Sequence, residues 1–453
     1  MTPQRPVDVQ AFLDKHPFSR YQWLIFGLTF LVVLMDGFDT AAIGYIAPSL
    51  LKEWGVSKPA LVPVLSAALF GLAFGALAAG PLADALGRKR VLVGAVGLFA
   101  VACFLSSFAG TLQQLTVLRF VTGLGLGAAM PNAVTLMSEF APARRRATLT
   151  NLMFCGFPLG AAFGGFLAAW MIPQFGWRSV LELGGAAPMV LALVMAAVLP
   201  ESVRHLVARG AAPERIRAVL ARIAPHGADA PAYTSGEARP AVTGAQGVAL
   251  VLSPAYVVGS VMLWVAYFMG LVIFYALINW MPLLFKDAGL EPATATRISA
   301  LFPLGGCGAV LFGFLMDRFN GNRVVAAGFL LTALFVYAIG QAVGSVGALV
   351  LVVFLAGIFM NTAQSSLPAL AAAYYPTEGR ATGVSWMLGF GRFGGIAGTA
   401  LLSELNARRF GLGEIFAVVA VPGLAAAAAL LVKQWVRPER RAEPGAVGGI
   451  AAH

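Results

Sequence analysis

Twelve apolar stretches recur along this chain, and they restrict its fold more than any other feature. A helix that crosses a bilayer needs roughly 20 mostly apolar residues. The stretches have about that length, and their approximate spans are 21–49, 60–83, 91–110, 112–137, 147–171, 178–199, 256–284, 296–316, 324–343, 347–371, 383–405 and 413–436. Because 59% of the 453 residues are hydrophobic and only 11% are charged, the sequence predicts an all-α membrane protein with twelve transmembrane helices.

A polar stretch rich in Ala, Pro, Arg and Gly follows the sixth span and divides the helices into two sets of six. The predicted organisation is a cytoplasmic N-terminal tail at 1–20, a six-helix bundle at 21–199, a cytoplasmic central loop at 200–250, a second six-helix bundle at 251–437 and a cytoplasmic C-terminal tail at 438–453.

The basic residues concentrate on one side of this predicted bundle. With both termini in the cytoplasm, the loops and tails on that side hold most of the Lys and Arg residues, including the clusters at 88–90 and 144–146. Cytoplasmic loops of membrane proteins carry such an excess, so topology explains the net charge of +11. A nucleic-acid-binding patch would need these residues on one soluble module, and the sequence offers no such module.

The two halves repeat each other at a nearly constant offset. Residues 80–90, with the sequence Gly-Pro-Leu-Ala-Asp-Ala-Leu-Gly-Arg-Lys-Arg, reappear in degenerate form at 313–323, and residues 142–148 correspond to 376–382. Since each half has an even number of helices, both halves have the same orientation, which makes the repeat a parallel one. In transporters with such repeats, the substrate site lies between the halves near the membrane midplane.

Two acidic residues, Asp36 and Asp39, lie in the middle of the first apolar span. An aspartate at the centre of a transmembrane helix costs about 2.5–3.5 kcal/mol to insert. Residues three apart share one face of a helix, and this face must point into protein or water. Intramembrane carboxylates commonly handle protons or substrate, so we interpret the pair as a proton-coupling site. The alternative is a structural pair that forms salt bridges with a neighbouring helix.

Two arginines also lie inside apolar spans, Arg119 in the fourth and Arg392 in the eleventh. At 1.5 Å per residue, each lies on the order of 10–14 Å deep, where a guanidinium needs a carboxylate partner. That partner is either Asp36 or Asp39, or an anionic substrate held by two parallel hydrogen bonds. Arg119 is the first choice for the substrate carboxylate and Arg392 the second, and a structural ion pair is the alternative for each. Protonation of an aspartate would then release an arginine for the substrate.

The 80–90 segment resembles the loop signature of the major facilitator superfamily, and the degenerate copy falls where that superfamily has it. Within the superfamily, the segments 36–48, 119–127 and 375–394 resemble the aromatic acid:H⁺ symporter family, and the paired aspartates are the most specific feature. The resemblance covers essentially the whole chain and implies the major facilitator fold. It implies functional importance for Asp36, Asp39, Arg119, Glu139, Asp317, Arg380 and Arg392.

Charged residues at the cytoplasmic helix ends are interpreted as gate residues, which pair when the inner entrance is shut. They are Asp84, Arg88, Glu139, Asp317 and Arg380. Solvated surface charges are the alternative, but their recurrence in both halves favours a gate. The second loop copy departs from the first at 320–322, where Asn-Gly-Asn replaces the Leu-Gly-Arg-Lys region, so the C-terminal gate is expected to be weaker.

An aromatic substrate would need walls lined by rings. Besides the two arginines, the predicted substrate-binding residues are Phe38, Tyr267, Asn279 and Trp386. Most aromatic residues in membrane helices face lipid or the interface, which is the alternative for the aromatic members of this set. The 160–165 segment, Gly-Ala-Ala-Phe-Gly-Gly, resembles a motif of drug-exporting antiporters without its proline, which favours import. The helices contain few Asn and Gln residues, so an anion fits better than a sugar.

Cys103, Cys155 and Cys307 lie in apolar stretches and are expected to be packed free thiols, and the four histidines show no metal-ligand spacing. The apolar segments contain no nucleophile–base pair. We therefore predict a protein that is not an enzyme and needs neither a cofactor nor a metal.

These observations and the resemblance together predict a symporter that imports a hydroxybenzoate-like carboxylate with protons, as part of aromatic hydrocarbon catabolism. The expected location is the bacterial inner membrane, with both termini cytoplasmic. The expected partners are the substrate, protons and the lipid bilayer, with no nucleic acid and no obligatory protein partner. Two alternatives stay open: a uniporter or exchanger of other organic anions on the same fold, and a transporter that doubles as a chemoreceptor for aromatic acids.

Overall fold

The computed structural model describes residues 6–224, 230, 232–234, 249–308, 316, 318–375 and 377–436. Within these ranges a few side chains lie outside the description, including those of Asp84 and Arg380. The predicted gate residue Asp317 lies outside the described residues altogether.

The first half begins with a two-residue strand, β1 (Val7–Asp8), and continues as helices. These are α1 (Val9–Lys15), α2 (Arg20–Trp54), α3 (Val62–Leu86), α4 (Arg88–Ser106), α5 (Leu112–Phe140), α6 (Arg146–Phe154), α7 (Gly156–Phe175) and α8 (Arg178–Val198), with short 3₁₀ helices at Lys58–Leu61 and Ala143–Arg145.

The segment between the halves contributes α9 (Val203–Ala208), α10 (Pro213–Ile223) and the strand β2 (Tyr233–Thr234). The second half contains α11 (Val257–Asp287), α12 (Pro292–Leu304), a 3₁₀ helix at Gly305–Gly308, α13 (Gly321–Gln341), α14 (Val346–Tyr374), α15 (Thr377–Ala407) and α16 (Leu412–Val436).

Corresponding helices of the two halves begin and end at matched positions. Helices α5 and α14 each have 29 residues, and both their first and their last residues lie 234 positions apart. Each is also capped by a hydroxyl side chain at its N-terminus: Thr111 accepts a hydrogen bond from Gln114 N, and Ser345 accepts one from Ala348 N. The repeat seen in the sequence therefore extends to helix length and capping.

The fifth predicted span, 147–171, forms two helices instead of one. The break falls between α6 and α7, at Cys155. Pro158 has no N–H group to donate to the carbonyl of Phe154, so the helical hydrogen-bond pattern is interrupted at this point. The eighth span, predicted at 296–316, likewise changes from α12 to a 3₁₀ helix at Gly305, after Pro303.

Ten helical segments in the described part of the chain are long and apolar enough to cross a membrane. A further candidate, α15, has 31 residues but carries four charged residues, Glu378, Arg380, Arg392 and Glu404. The remaining candidate is α12, whose predicted span runs on into residues 309–315, outside the description. The fold is the predicted one: an all-α membrane protein made of two sets of transmembrane helices.

The halves meet along helix pairs, with α2 against α11, α7 against α12, and α3 against α15. At Gly44 of α2, an added Cβ would lie 2.4 Å from the carbonyl oxygen of Ile278 on α11, so only glycine permits this approach. We call the end of the bundle that holds α1, α9 and α10 the tail side. The opposite end, which holds Lys58, Asp287 and Asn406, is called the loop side.

The tail side of the first half carries a small cap that joins the N-terminal tail to the central segment. Strands β1 and β2 pair in parallel, with Val7 opposite Tyr233. Val9 and Phe12 of α1 and Ile216 of α10 are buried in one cluster with Phe140 of α5. The sequence reasoning treated these segments as a tail and a loop and did not anticipate this packing.

Candidate functional site

Asp39 and Arg119 form an ion pair in the interior of the first half. Arg119 Nη2 lies 2.6 Å from Asp39 Oδ2 and Nη1 lies 2.8 Å from Oδ1, so the two side chains make a bidentate pair. Each side chain is only 1% exposed. Arg119 lies seven residues after the start of α5, and Asp39 lies in the second half of α2. The sequence left either Asp36 or Asp39 as the internal partner of Arg119, and in the structure that partner is Asp39.

Glycines allow the surrounding helices to approach α2 closely. An added Cβ on Gly37 would lie 2.0 Å from the carbonyl oxygen of Phe157, and one on Gly160 would lie 1.8 Å from that of Leu34. These contacts hold α7 directly against α2. Because water is excluded from this packing, the charges of Asp39 and Arg119 are compensated by each other and by short-range hydrogen bonds.

Asp36 is also buried, at 3% exposure, one helical turn before Asp39. Thr40 Oγ1 lies 3.5 Å from Asp36 Oδ1, at the limit of a hydrogen bond. Among the described residues, no cation lies within ion-pair distance of Asp36, although Asp36 does interact electrostatically with Arg392 of the second half. The two aspartates therefore differ: Asp39 has a close cation, and Asp36 faces a more distant one.

Arg392 lies at the centre of α15, fifteen residues from either end of the helix. It is deeper than predicted because α15 begins at Thr377, six residues before the predicted span. The side chain is half-buried and interacts electrostatically with Tyr267 and Tyr275 of α11 as well as with Asp36. No carboxylate among the described residues lies within ion-pair distance of it.

The glycines that flank Arg392 bring α11 against α15. An added Cβ on Gly391 would lie 2.1 Å from the ring of Tyr267, and one on Gly395 would lie 2.5 Å from the ring of Tyr275. Both tyrosine rings therefore pack beside the backbone from which the Arg392 side chain extends. The structure thus brings together four polar residues at the boundary between the halves: Asp36, Tyr267, Tyr275 and Arg392.

The other predicted substrate-binding residues lie in different surroundings. Asn279 is 2% exposed and donates through Nδ2 to Thr399 Oγ1 at 3.0 Å, which joins α11 to α15. Trp386 is exposed and its ring packs 5.8 Å from that of Trp264. Phe38 is buried, and its ring packs against Gly164 of α7 and Gly184 of α8 inside the first half.

Of the predicted gate residues, Arg88 and Glu139 have described side chains. Arg88 Nε lies 3.7 Å from Glu139 Oε1, which pairs the start of α4 with the end of α5. The side chains of Asp84 and Arg380, and the whole of Asp317, are outside the described part. The gate interpretation of all five residues stays a prediction.

The loop signature contains a contact that the sequence reasoning missed. Gly87 has a φ of +103°, and an added Cβ would lie 2.3 Å from Glu201 Oε2. Glu201 Oε1 accepts a hydrogen bond from the backbone N–H of Lys89 at 3.1 Å. Glu201, which follows α8 in the sequence, thus fixes the loop between α3 and α4 by direct contact. The Pro-Glu-Ser sequence after the sixth span was the available signal.

Lys58 joins the two halves on the loop side. Its Nζ lies 2.5 Å from Asp287 Oδ2 at the end of α11 and 3.2 Å from Asn406 Oδ1 at the end of α15. Together with the close approach at Gly44, this contact connects the two halves on the loop side. Within the described residues, no cluster of His, Cys, Asp and Glu side chains suited to a metal ion occurs.

Comparison with known proteins identifies the class. A sequence profile of the Major Facilitator Superfamily matches residues 29–312 and 298–452. The inward-open xylose transporter XylE from Escherichia coli superposes with a TM-score of 0.72 at 17% identity, covering 93% of this chain and 98% of that chain. The chain belongs to the major facilitator superfamily and, within it, to the aromatic acid transporter family. It is a multi-pass membrane transporter and not an enzyme.

Two relatives from Pseudomonas putida are similar over nearly their whole length. The 4-hydroxybenzoate transporter PcaK is 48% identical over 431 residues, which cover 95% of this chain and 96% of that protein. A gallate transporter is 45% identical over 433 residues, with 95% and 96% coverage.

Proposed function

We propose that the protein is a proton-coupled symporter that imports a hydroxybenzoate-like aromatic carboxylate across the bacterial inner membrane by alternating access. The cytoplasm lies on the tail side, where the basic residues concentrate. The relatives named for 4-hydroxybenzoate and gallate support the substrate class, since both molecules carry a carboxylate and at least one hydroxyl group on an aromatic ring.

The observation that carries the proposal is the buried bidentate pair of Asp39 and Arg119. Asp36 lies one turn before Asp39 and interacts electrostatically with Arg392 of the other half. A buried ion pair that loses one charge leaves the other uncompensated, at a cost of about 3–5 kcal/mol. Protonation of Asp39 is therefore favourable only if another anion takes its place beside Arg119. A substrate carboxylate is such an anion, so the proton and the substrate are expected to bind together.

Arg392 is the first contact for the substrate in this scheme. In the present conformation Asp39 occupies both Nη atoms of Arg119, whereas Arg392 is half-buried and has no close carboxylate among the described residues. The substrate carboxylate binds Arg392 of the second half, and protonation of Asp39 then makes Arg119 of the first half available. Tyr267 and Tyr275 beside Arg392 supply ring surface and hydroxyl groups.

Substrate that contacts both arginines links the two halves, which is how binding is coupled to their movement. The contact of Lys58 with Asp287 and Asn406 closes the loop side, so we assign the present conformation to the state that faces the cytoplasm. Opening to the outside requires this contact to break. The predicted gate residues on the tail side would then pair and shut the inner entrance.

The test is uptake of labelled 4-hydroxybenzoate by purified protein in proteoliposomes, with and without an inward proton gradient. We expect the gradient to drive accumulation, Asp39→Asn to leave only downhill equilibration, and Arg119→Ala to abolish uptake. Glu404→Gln is a matched carboxylate-to-amide control, because Glu404 is 60% exposed and, in the described structure, pairs only with Arg408 in the turn that follows α15. Accumulation that is the same with and without the proton gradient would favour an exchanger of organic anions instead.

A further inference from the structure

The thiol of Cys103, on α4, is a third member of the buried charge cluster. Cys103 Sγ donates a hydrogen bond to Asp39 Oδ1 at 3.2 Å, and Arg119 Nη1 lies 4.0 Å from the same sulfur. The residue is 1% exposed. Three helices, α2, α4 and α5, therefore each contribute one polar side chain to this cluster.

A fourth helix provides the thiol with a second acceptor. The carbonyl oxygen of Leu181 on α8 lies 3.6 Å from Cys103 Sγ. Helix α8 reaches this distance at a glycine, because a Cβ added to Gly184 would lie 3.2 Å from the sulfur. The thiol hydrogen can therefore turn towards either of two oxygens, one on the side chain of Asp39 and one on the backbone.

We propose that Cys103 is a positioning residue for proton coupling, because its thiol donates to Asp39 when the carboxylate is ionised and turns to the Leu181 carbonyl when Asp39 carries a proton. The inference rests on the proposed function, in which Asp39 exchanges a proton during transport. A thiol suits this task because it is a weak donor, so it stabilises the ionised carboxylate without fixing it in that form. The same thiol keeps a partner in both states.

Among the described residues, few charged and titratable groups face Asp39. Arg119 approaches from α5, Cys103 approaches from α4, and Asp36 lies one turn earlier on α2 itself. Helix α8 contributes the backbone carbonyl of Leu181. Arg119 keeps its charge throughout the physiological range, so the Cys103 thiol is the neutral group in this cluster whose hydrogen bond can change with the proton on Asp39.

Removal of the thiol has a predictable effect on the pH dependence of transport. A hydrogen bond to an ionised group favours that form, so loss of the thiol removes a contact that stabilises the ionised carboxylate of Asp39. For a hydrogen bond of ordinary strength, the alkaline limb of the transport profile should move upward by about 0.5–1 pH unit. Cys103→Ala should show this shift, and Cys103→Ser, which keeps a donor, should remain closer to the wild type.

The experiment measures 4-hydroxybenzoate counterflow in proteoliposomes at equal pH on both sides, from acidic to alkaline buffers. Cys155→Ser is the matched control, because Cys155 lies at the junction of α6 and α7 and outside the cluster. An upward shift in Cys103→Ala, its substantial restoration in Cys103→Ser and an unshifted Cys155→Ser would support the proposal. Equal profiles in all variants, or a change of rate without a change of midpoint, would contradict it.

A spectroscopic measurement does not depend on transport. The infrared S–H stretching band of Cys103, assigned as the band lost in Cys103→Ala, should move to higher frequency in Asp39→Asn, because a neutral amide oxygen is a weaker acceptor than a carboxylate. An unchanged band would show that the Cys103 thiol does not donate a hydrogen bond to Asp39. If the band moves but the wild type shows no proton-driven accumulation, the contact stands and the proposed symport fails, so the two failures are distinguishable.

Discussion

At the scale of single residues, the two arginines of this transporter have different surroundings. Arg119 is enclosed and paired, whereas Arg392 is half-buried, at the middle of α15, and without a close carboxylate among the described residues. A guanidinium in such a position binds a planar carboxylate through two parallel hydrogen bonds, which a lysine ammonium does not reproduce. The affinity for the substrate is therefore expected to depend on the shape of the Arg392 side chain as well as on its charge.

Replacing Arg392 should weaken substrate binding more than it affects folding. Loss of a hydrogen bond to a charged group costs about 1.5–3 kcal/mol, which corresponds to roughly a 10- to 150-fold rise in KM. We expect a rise in this range for Arg392→Gln and a smaller rise for Arg392→Lys. Initial rates of uptake over a range of 4-hydroxybenzoate concentrations give these values.

The matched control is Arg408→Gln, since Arg408 directly follows the last residue of α15 and has a side chain that is 68% exposed. If Arg392→Gln and Arg408→Gln have the same KM, Arg392 does not contact the substrate and is not the first contact for its carboxylate.

Sequence reasoning located the charged residues of the site but not all their partners. The cost of burying charge made Asp36, Asp39, Arg119 and Arg392 recognisable in the sequence alone. The choice of Asp39 over Asp36 as the partner of Arg119 depends on how α2 and α5 are rotated against each other, which no local pattern contains. The contact of Cys103 with Asp39 was missed for the same reason, because a cysteine in an apolar stretch resembles any other packed thiol.

At the scale of helices, apolar length predicted most elements, and proline explains the main departure. The first span was predicted at 21–49, and α2 runs from Arg20 to Trp54, with a capping box at Ser19 and Gln22. Pro158 divides the fifth span into α6 and α7. The pairing of β1 with β2 was not predictable, since two-residue strands carry no periodic pattern and form only when distant segments meet.

Close packing of α2 against α7 should make Gly160 intolerant of a side chain. An added Cβ would lie 1.8 Å from the carbonyl oxygen of Leu34, so the helices would have to separate. Overpacking of this kind costs about 1–3 kcal/mol. Gly160→Ala should therefore lower the thermal unfolding temperature of the protein in detergent, and it should lower uptake because Asp39 lies on the displaced helix.

Gly94 provides the control for this substitution, because nothing lies within 4 Å of a Cβ added there. Gly94→Ala should keep or raise the unfolding temperature, since alanine favours a helix more than glycine does. Equal unfolding temperatures for the two variants would mean that α2 and α7 are not packed as closely as described.

At the scale of the whole molecule, Lys58 provides an ion pair that joins the two halves on the loop side. The side chains of Lys58 and Asp287 are 33% and 39% exposed, and a pair in such a position is worth about 0.5–1 kcal/mol. Breaking it should shift the equilibrium between the inward-facing and outward-facing conformations by about two- to fivefold.

Lys58→Gln and Asp287→Asn should therefore populate the conformation that is open on the loop side. Distances between spin labels on Ser57→Cys and Ala407→Cys, one in each half, report this opening as a longer component in the distribution. The charge-swapped pair, Lys58→Asp with Asp287→Lys, should restore the shorter distance. Distributions that are identical in the single variants and the wild type would show that this contact does not hold the loop side closed.

The central claim is that substrate and proton enter together through the Asp39–Arg119 pair. It is tested most directly by the pH inside proteoliposomes that contain a trapped pH-sensitive dye, after 4-hydroxybenzoate is added outside with no gradient imposed. We expect the wild type and Glu404→Gln to acidify the interior as substrate enters, and Asp39→Asn to admit substrate without acidification. Substrate entry without acidification in the wild type, or full acidification in Asp39→Asn, would contradict it.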